Sequence, residues 1–370
     1  MEYEWIDNVA ILSNDNTSIT FNDKFNEIIK PNSLPENLTT LIFGRNFNQK
    51  MDPNSLPENL TTLIFGRNFN QKMDPNSLPE NLSTLTFGRN FNQKMDPNTL
   101  PKNLSTLTFG QDFNQKIEPN TLPENLSTLT FGQDFNQKIE PNTLPKNLST
   151  LIFGWIFNQI IEPNTLPKNL TTLIFGNDFN QKIKPNTLPK HLTTLTFTQR
   201  FNQKIEPNSL PEKLTTLNVG FLFNQKIEPN TLPESLSNIK FGSFNKKIDL
   251  NTLPSNLKHI EFYWRYACTD KPSSDFYIGN DEIHISRYIE MVNNIPSYYD
   301  VKIFLDANIL GDYSPKWPLH ISHYDKYKFQ WPLELYEMID TYFHSFCGDI
   351  TVLIDKKTYQ PYSFAKSALK

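Results

Sequence analysis

A unit of 22 residues is repeated across about two-thirds of this chain, and no other feature constrains the fold as strongly. Its Leu-Pro pair stands at Leu34-Pro35, Leu56-Pro57, Leu78-Pro79 and onward to Leu232-Pro233, each 22 residues after the last, and an eleventh pair, Leu253-Pro254, follows 21 residues later. A constant step of this size marks a solenoid, in which each unit is one coil and neighbouring coils supply the core that no single coil can bury. Function is then expected in a surface rather than in a pocket.

The unit reads Leu-Pro-x-x-Leu-x-x-Leu-x-Phe-Gly-x-x-Phe-Asn-Gln-x-Ile-x-Pro-Asn-x. Within Leu56 to Ser77, Leu63 and Phe65 fall on one face and Ile64 on the other, the period of a short strand, and Gly66 and Asn68 mark the turn out of it. The strand recurs at every coil from Leu41 to Ile260, with a degenerate forerunner at Ile19-Thr20-Phe21, which predicts about twelve coils. All these strands run the same way, so stacking gives one parallel sheet, about 50 to 60 Å long at about 4.8 Å per strand. Pro53, Pro57 and their equivalents fix φ and remove donors, leaving too little room for the helices of ankyrin or tetratricopeptide arrays.

The pattern resembles the FNIP repeat, whose Phe-Asn-Ile-Pro signature is met here as Phe113-Asn114, Ile117 and Pro119, and the match spans about residues 12 to 262. FNIP repeats are similar to leucine-rich repeats, so the resemblance implies an arc with the parallel sheet on its concave side. It also implies an origin among social amoebae or the giant viruses that infect amoebae. Many viral members carry an F-box before the repeats, as substrate adaptors of a ubiquitin ligase; here Met1 to Ala10 is too short for F-box helices. Three divisions are expected: a capping segment over 1–11, the solenoid over 12–262, and a small α/β cap over 263–370.

Net charge −4 and a pI near 5.9 give no general attraction to nucleic acid or anionic membrane. The chain shows no signal-peptide pattern and no apolar run of membrane-spanning length, so an intracellular, cytoplasmic protein is expected, monomeric and with no membrane partner. Cys268 and Cys347 are too few for a disulfide framework and read as free thiols. Seven Asn-Leu-Ser/Thr sequons from Asn37 to Asn169 read as a repeated turn before the strand rather than as glycan acceptors. A second series, Asn48 to Asn224, follows a core Phe in every coil and reads as a ladder of amides bonding the turns of successive coils. Lys50, Lys72, Lys94 and Lys116 stand two residues before Asp52, Asp74, Asp96 and Glu118, giving stripes of opposite sign.

Candidate binding residues are sought where the repeat breaks its own rule. The strand position between the two core residues, Ile42 to Lys240, faces the concave side by alternation. Just past the strand come Arg45, Arg67 and Arg89, then Gln111 and Gln133, then abruptly Trp155 and, three coils later, Phe221. Ile156 and Ile160 replace polar residues in the coil of Trp155, and Leu222 stands beside Phe221. The two clusters are about 14 Å apart on one edge, within reach of one protein partner. Arg45, Arg67 and Arg89 form a basic row suited to an acidic peptide or phosphate groups, too short for a nucleic-acid track.

Past Phe262 the repeat stops. Val301 to Leu305 and Ile350 to Ile354 read as strands, and Leu333 to Phe346 as a helical face. His320, His323 and Asp325 have a loose metal-ligand spacing with no answering pair, and Asp306 has no identifiable partner. No phosphate loop, nucleophile elbow, kinase signature or dinucleotide fingerprint occurs. The expectation is therefore a non-catalytic scaffold without cofactor or metal, binding a protein, expected from the host, through its concave face and edge. The alternative is a ubiquitin-ligase adaptor in which the C-terminal segment replaces the F-box.

Overall fold

The structure is a computed structural model that describes residues 9–242, 244, 246, 248 and 252–264 and the two strands 300–306 and 349–353. Among the described residues fifteen strands form one sheet in which every neighbour in sequence is a neighbour in space. β1 (Ala10–Leu12) and β2 (Ser18–Phe21) make an antiparallel hairpin at one end. From β2 each coil then adds one parallel strand: β3 (Thr40–Ile42), β4 (Thr62–Ile64), β5 (Thr84–Thr86), β6 (Thr106–Thr108), β7 (Thr128–Thr130), β8 (Thr150–Ile152), β9 (Thr172–Ile174), β10 (Thr194–Thr196), β11 (Thr216–Asn218), β12 (Asn238–Phe241) and β13 (His259–Trp264). β14 (Asp300–Asp306) continues the parallel order, and β15 (Asp349–Leu353) closes it antiparallel. These last two fall where strands were expected; the helix expected at Leu333 to Phe346 lies outside the described residues.

From β2 to β12 the register is strict because each coil is 22 residues long: Leu41 lies opposite Leu63, Leu63 opposite Leu85, and so on. In β3 to β11 the central Leu is buried and its two neighbours are only half-covered, which keeps the hydrophobic set on one face. Behind the sheet run two columns of stacked phenylalanines. Phe65 and Phe69 of one coil stack at 3.7 Å, and Phe69 and Phe91 of successive coils at 6.1 Å. That step exceeds the roughly 4.8 Å between strands, so the coils open away from the sheet, which lies on the inner side of the arc.

The return path is built from turns. In Asp52-Pro53-Asn54-Ser55 the Ser55 N–H donates to the Asp52 carbonyl (3.2 Å), and Asn54 sits at φ 63°. Proline second and asparagine third with positive φ define a type II turn, and asparagine tolerates that region better than other residues with a Cβ. The same φ recurs at the third turn position in every coil from Asn32 to Asn230. Asn59 Nδ2 donates to the Glu36 carbonyl (2.9 Å) and Thr61 Oγ1 to the Thr39 carbonyl (3.1 Å), so this sequon ties its coil to the one before. The Asn48 series is half-buried and forms the expected ladder: the N–H of Asn70 donates to Asn48 Oδ1 at 2.8 Å, and Gln71 Nε2 joins at 3.1 Å.

The candidate binding edge

One edge of the stack is made by the turn that follows each strand. In Gly154-Trp155-Ile156-Phe157, the Phe157 N–H donates to the Gly154 carbonyl (3.3 Å), which pushes the two central side chains outward while Phe157 enters the core. Successive turns are joined by backbone rungs: Ile156 N–H to Gln133 carbonyl (3.0 Å), Asp178 N–H to Trp155 carbonyl (2.9 Å), Asn68 N–H to Arg45 carbonyl (2.9 Å). The glycine column is what allows such close stacking, since a Cβ on Gly132 would overlap the carbonyl of Gly110. Side chains on this edge therefore stand in fixed rows, one coil apart.

Trp155 is 51% exposed, Ile156 38% and Ile160 46%, all on one coil; the other large exposed hydrophobics among the described residues, Ile11 and Ile28, stand singly. Phe221 and Leu222 share the rows of Trp155 and Ile156 but are only half-exposed. Their turn differs because Thr198 occupies the glycine column. Gly220 takes φ 85°, and Phe221 N–H donates to the Thr198 carbonyl (2.8 Å), a rung absent from the other turns among the described residues. Arg45, Arg67 and Arg89 form the expected row, all exposed. Arg89 reaches Asp112 at 3.9 Å, whereas the guanidinium groups of Arg45 and Arg67 have no hydrogen bond or ion pair among the described residues.

Sequence reasoning followed the first edge row and missed the second. That row holds Asn46, Asn68 and Asn90, then Asp112 and Asp134, then Ile156, Asp178, Arg200 and Leu222. Reading the turn two residues wide would have shown it. Asp178 is paired with Arg200 at 3.3 Å, and Asp134, half-buried, has no ion pair among the described residues. Most of the lysine stripe beyond the edge is paired, with a pairing set by side-chain length. Lys50 and Lys72 reach the shorter aspartates of the next coil, Asp74 (2.7 Å) and Asp96 (2.9 Å), whereas Lys116 and Lys138 meet glutamates of their own coil. Mutual attraction raises the affinity of Lys72 for its proton and lowers that of Asp96, through their hydrogen bond first and their charges second. Ile160 interrupts this stripe, and Lys184 takes over Glu162 at 3.2 Å.

No group of three or more His, Cys, Asp and Glu able to hold a metal occurs among the described residues, and no described helix is long and apolar enough to cross a membrane. His320, His323, Asp325, Cys268 and Cys347 lie outside the described residues.

The family model of the FNIP repeat matches in overlapping windows from residues 11–46 through to 223–264, together covering more than half of the chain. The chain belongs to the FNIP repeat family. No curated protein matches it. Among solved structures, the FNIP chain is similar to CroV588, a giant-virus protein described as a novel circular LRR protein, with 44% identity and a TM-score of 0.64. The match covers 68% of this chain and 40% of that one, so this FNIP chain spans well under half of its neighbour's length. The architecture is thus a leucine-rich-repeat-like solenoid, a class that generally serves as a protein-interaction scaffold.

Proposed function

We propose that this protein is a non-catalytic scaffold that binds a protein partner, taken from the host of a giant virus, through the turn edge around Trp155 and the adjoining concave sheet. One observation carries it: three large apolar side chains, Trp155, Ile156 and Ile160, replace polar residues on a single coil and stand exposed. Scattered apolar residues on a surface are ordinary, but an aromatic anchor with two aliphatic neighbours is the usual centre of an interface. The coil does not need them for folding, since the preceding coil carries Gln133, Asp134 and Lys138 in the same places on the same backbone.

That coil supplies the test. Trp155→Gln, Ile156→Asp and Ile160→Lys together restore the repeat's own residues and leave the core untouched. A cross-linked pull-down from amoeba lysate should capture a partner with the natural protein and lose it with the triple variant, both having the same circular dichroism. Equal capture by both would refute the edge reading. Ubiquitin-ligase subunits in the captured material would identify the scaffold as an adaptor.

A further inference from the structure

Taken coil by coil, the edge carries a charge sequence that complements itself when reversed. Three basic turns (Arg45, Arg67, Arg89) are followed by two acidic ones (Asp112, Asp134) and then by the turn of Trp155. We infer that two copies of this chain pair edge to edge, antiparallel, about a two-fold axis between the turns of Arg89 and Asp112. This rests on the edge being a protein-binding surface and names a partner for it, a second copy. Under that axis the turn of Arg89 faces the turn of Gln111 and Asp112 in the other copy, that of Arg67 faces Gln133 and Asp134, and that of Arg45 faces the turn of Trp155. The long side chains of Arg89 and Arg67 reach across one row to the aspartates, and each contact is made twice as two-fold symmetry demands.

Four properties favour this occupant. The rows keep one spacing, because backbone rungs join successive turns, so a reversed copy stays in step over all six coils. The groups to be matched reach the surface without a partner: Arg45 and Arg67, exposed, and Asp134, half-exposed, make no ion pair among the described residues. A guanidinium beside an indole gains a cation–π contact, so Arg45 has a use for Trp155. The axis runs radially through the arc, so two curved stacks lie against each other without bending. The strip spans five inter-coil steps, about 24 Å, and is two side chains wide, less than the roughly 800 Å² per partner of a standard interface. Association is therefore weak, and it falls as salt screens the charges.

Sedimentation velocity on the whole chain tests this. At low ionic strength the natural protein should show a concentration-dependent dimer that is lost at high salt. Arg67→Asp alone and Asp134→Arg alone each place like charges opposite each other twice and should weaken the dimer about tenfold or more. The two single variants mixed should form a heterodimer, and the double variant should regain the natural affinity. Arg67 is exposed and Asp134 half-exposed, neither belongs to the core, and matching circular dichroism confirms folding. A monomer under all low-salt conditions, or a dimer indifferent to both reversals, overturns the inference. If the lysate partner is still captured and lost with Trp155→Gln, Ile156→Asp and Ile160→Lys, the edge reading stands without self-pairing.

Discussion

Two residue types are fixed by backbone geometry rather than by contact. A Cβ on Gly132 would meet the carbonyl of Gly110, and both belong to hydrogen-bonded turns that cannot separate without breaking their rungs. Gly132→Ala is therefore expected to cost about 3 kcal/mol or more, read as a shift of the denaturation midpoint. Asn120, at φ 64°, poses a milder constraint. Asn120→Ala should cost about 1 kcal/mol and Asn120→Gly a few tenths, because glycine enters the left-handed region without a Cβ penalty. Both signals were present in the repeat, which prints Gly after the strand and Pro-Asn before the Leu-Pro pair. The periodicity shows that these residues recur; only the packed coils show that one is required by a neighbouring carbonyl and the other by a turn.

At the scale of the element, the asparagine ladder bonds each coil's turn backbone to the coil before it. Asn114 Oδ1 accepts the Asn136 N–H and Gln137 Nε2, both at 3.0 Å. Asn114→Ala leaves that half-buried N–H without its partner and should cost about 1 to 3 kcal/mol. Hydrogen exchange should then show Asn136 opening before its neighbours. The N-terminal hairpin carries an acid-sensitive device of its own. Asp15 accepts hydrogen bonds from the Ser13 hydroxyl (2.6 Å), the Thr17 hydroxyl (2.8 Å) and the Thr17 N–H (3.2 Å), and the first two chiefly hold its carboxyl down to about 2. Since the folded value lies below the ordinary 3.8, its contribution is fully present above pH 3.8 and is lost as pH falls through about 2. A carboxyl titration followed by NMR should find that midpoint, and a midpoint near 3.8 would show the turn to be open in solution. The β1 strand of this hairpin was not legible in the repeat, because it precedes the periodic region and pairs antiparallel to it.

The whole molecule behaves as a one-dimensional stack. Leu34 to Ser55 and Leu56 to Ser77 are identical in sequence, so removing 56–77 joins two surfaces that already fit. The shortened protein should unfold cooperatively with an m-value reduced by about one coil's share. Removing 56–66 instead puts every later Leu out of register, and that protein should be unfolded by circular dichroism. If both deletions behave alike, coil length is not what sets the register. The Lys–Asp and Lys–Glu stripes, with exposed lysines and partly exposed acids, should contribute little to stability in physiological salt.

The 22-residue period by itself determined the parallel sheet, the buried Leu and Phe columns and the strand register, because burial with a fixed period leaves one way to stack identical units. It also singled out Trp155, Ile156 and Ile160, since a break in a repeat is visible without coordinates. Only the tertiary structure decided that these three stand exposed while Phe221 and Leu222 sink to half-exposure. That outcome depends on Thr198, one coil earlier, reshaping the turn against which Phe221 rests. Likewise, that Arg45, Arg67 and Asp134 make no ion pair among the described residues follows from distances between coils, which a sequence does not contain. Periodicity specifies what is common to every coil; the differences between coils acquire meaning only when neighbours are brought within contact.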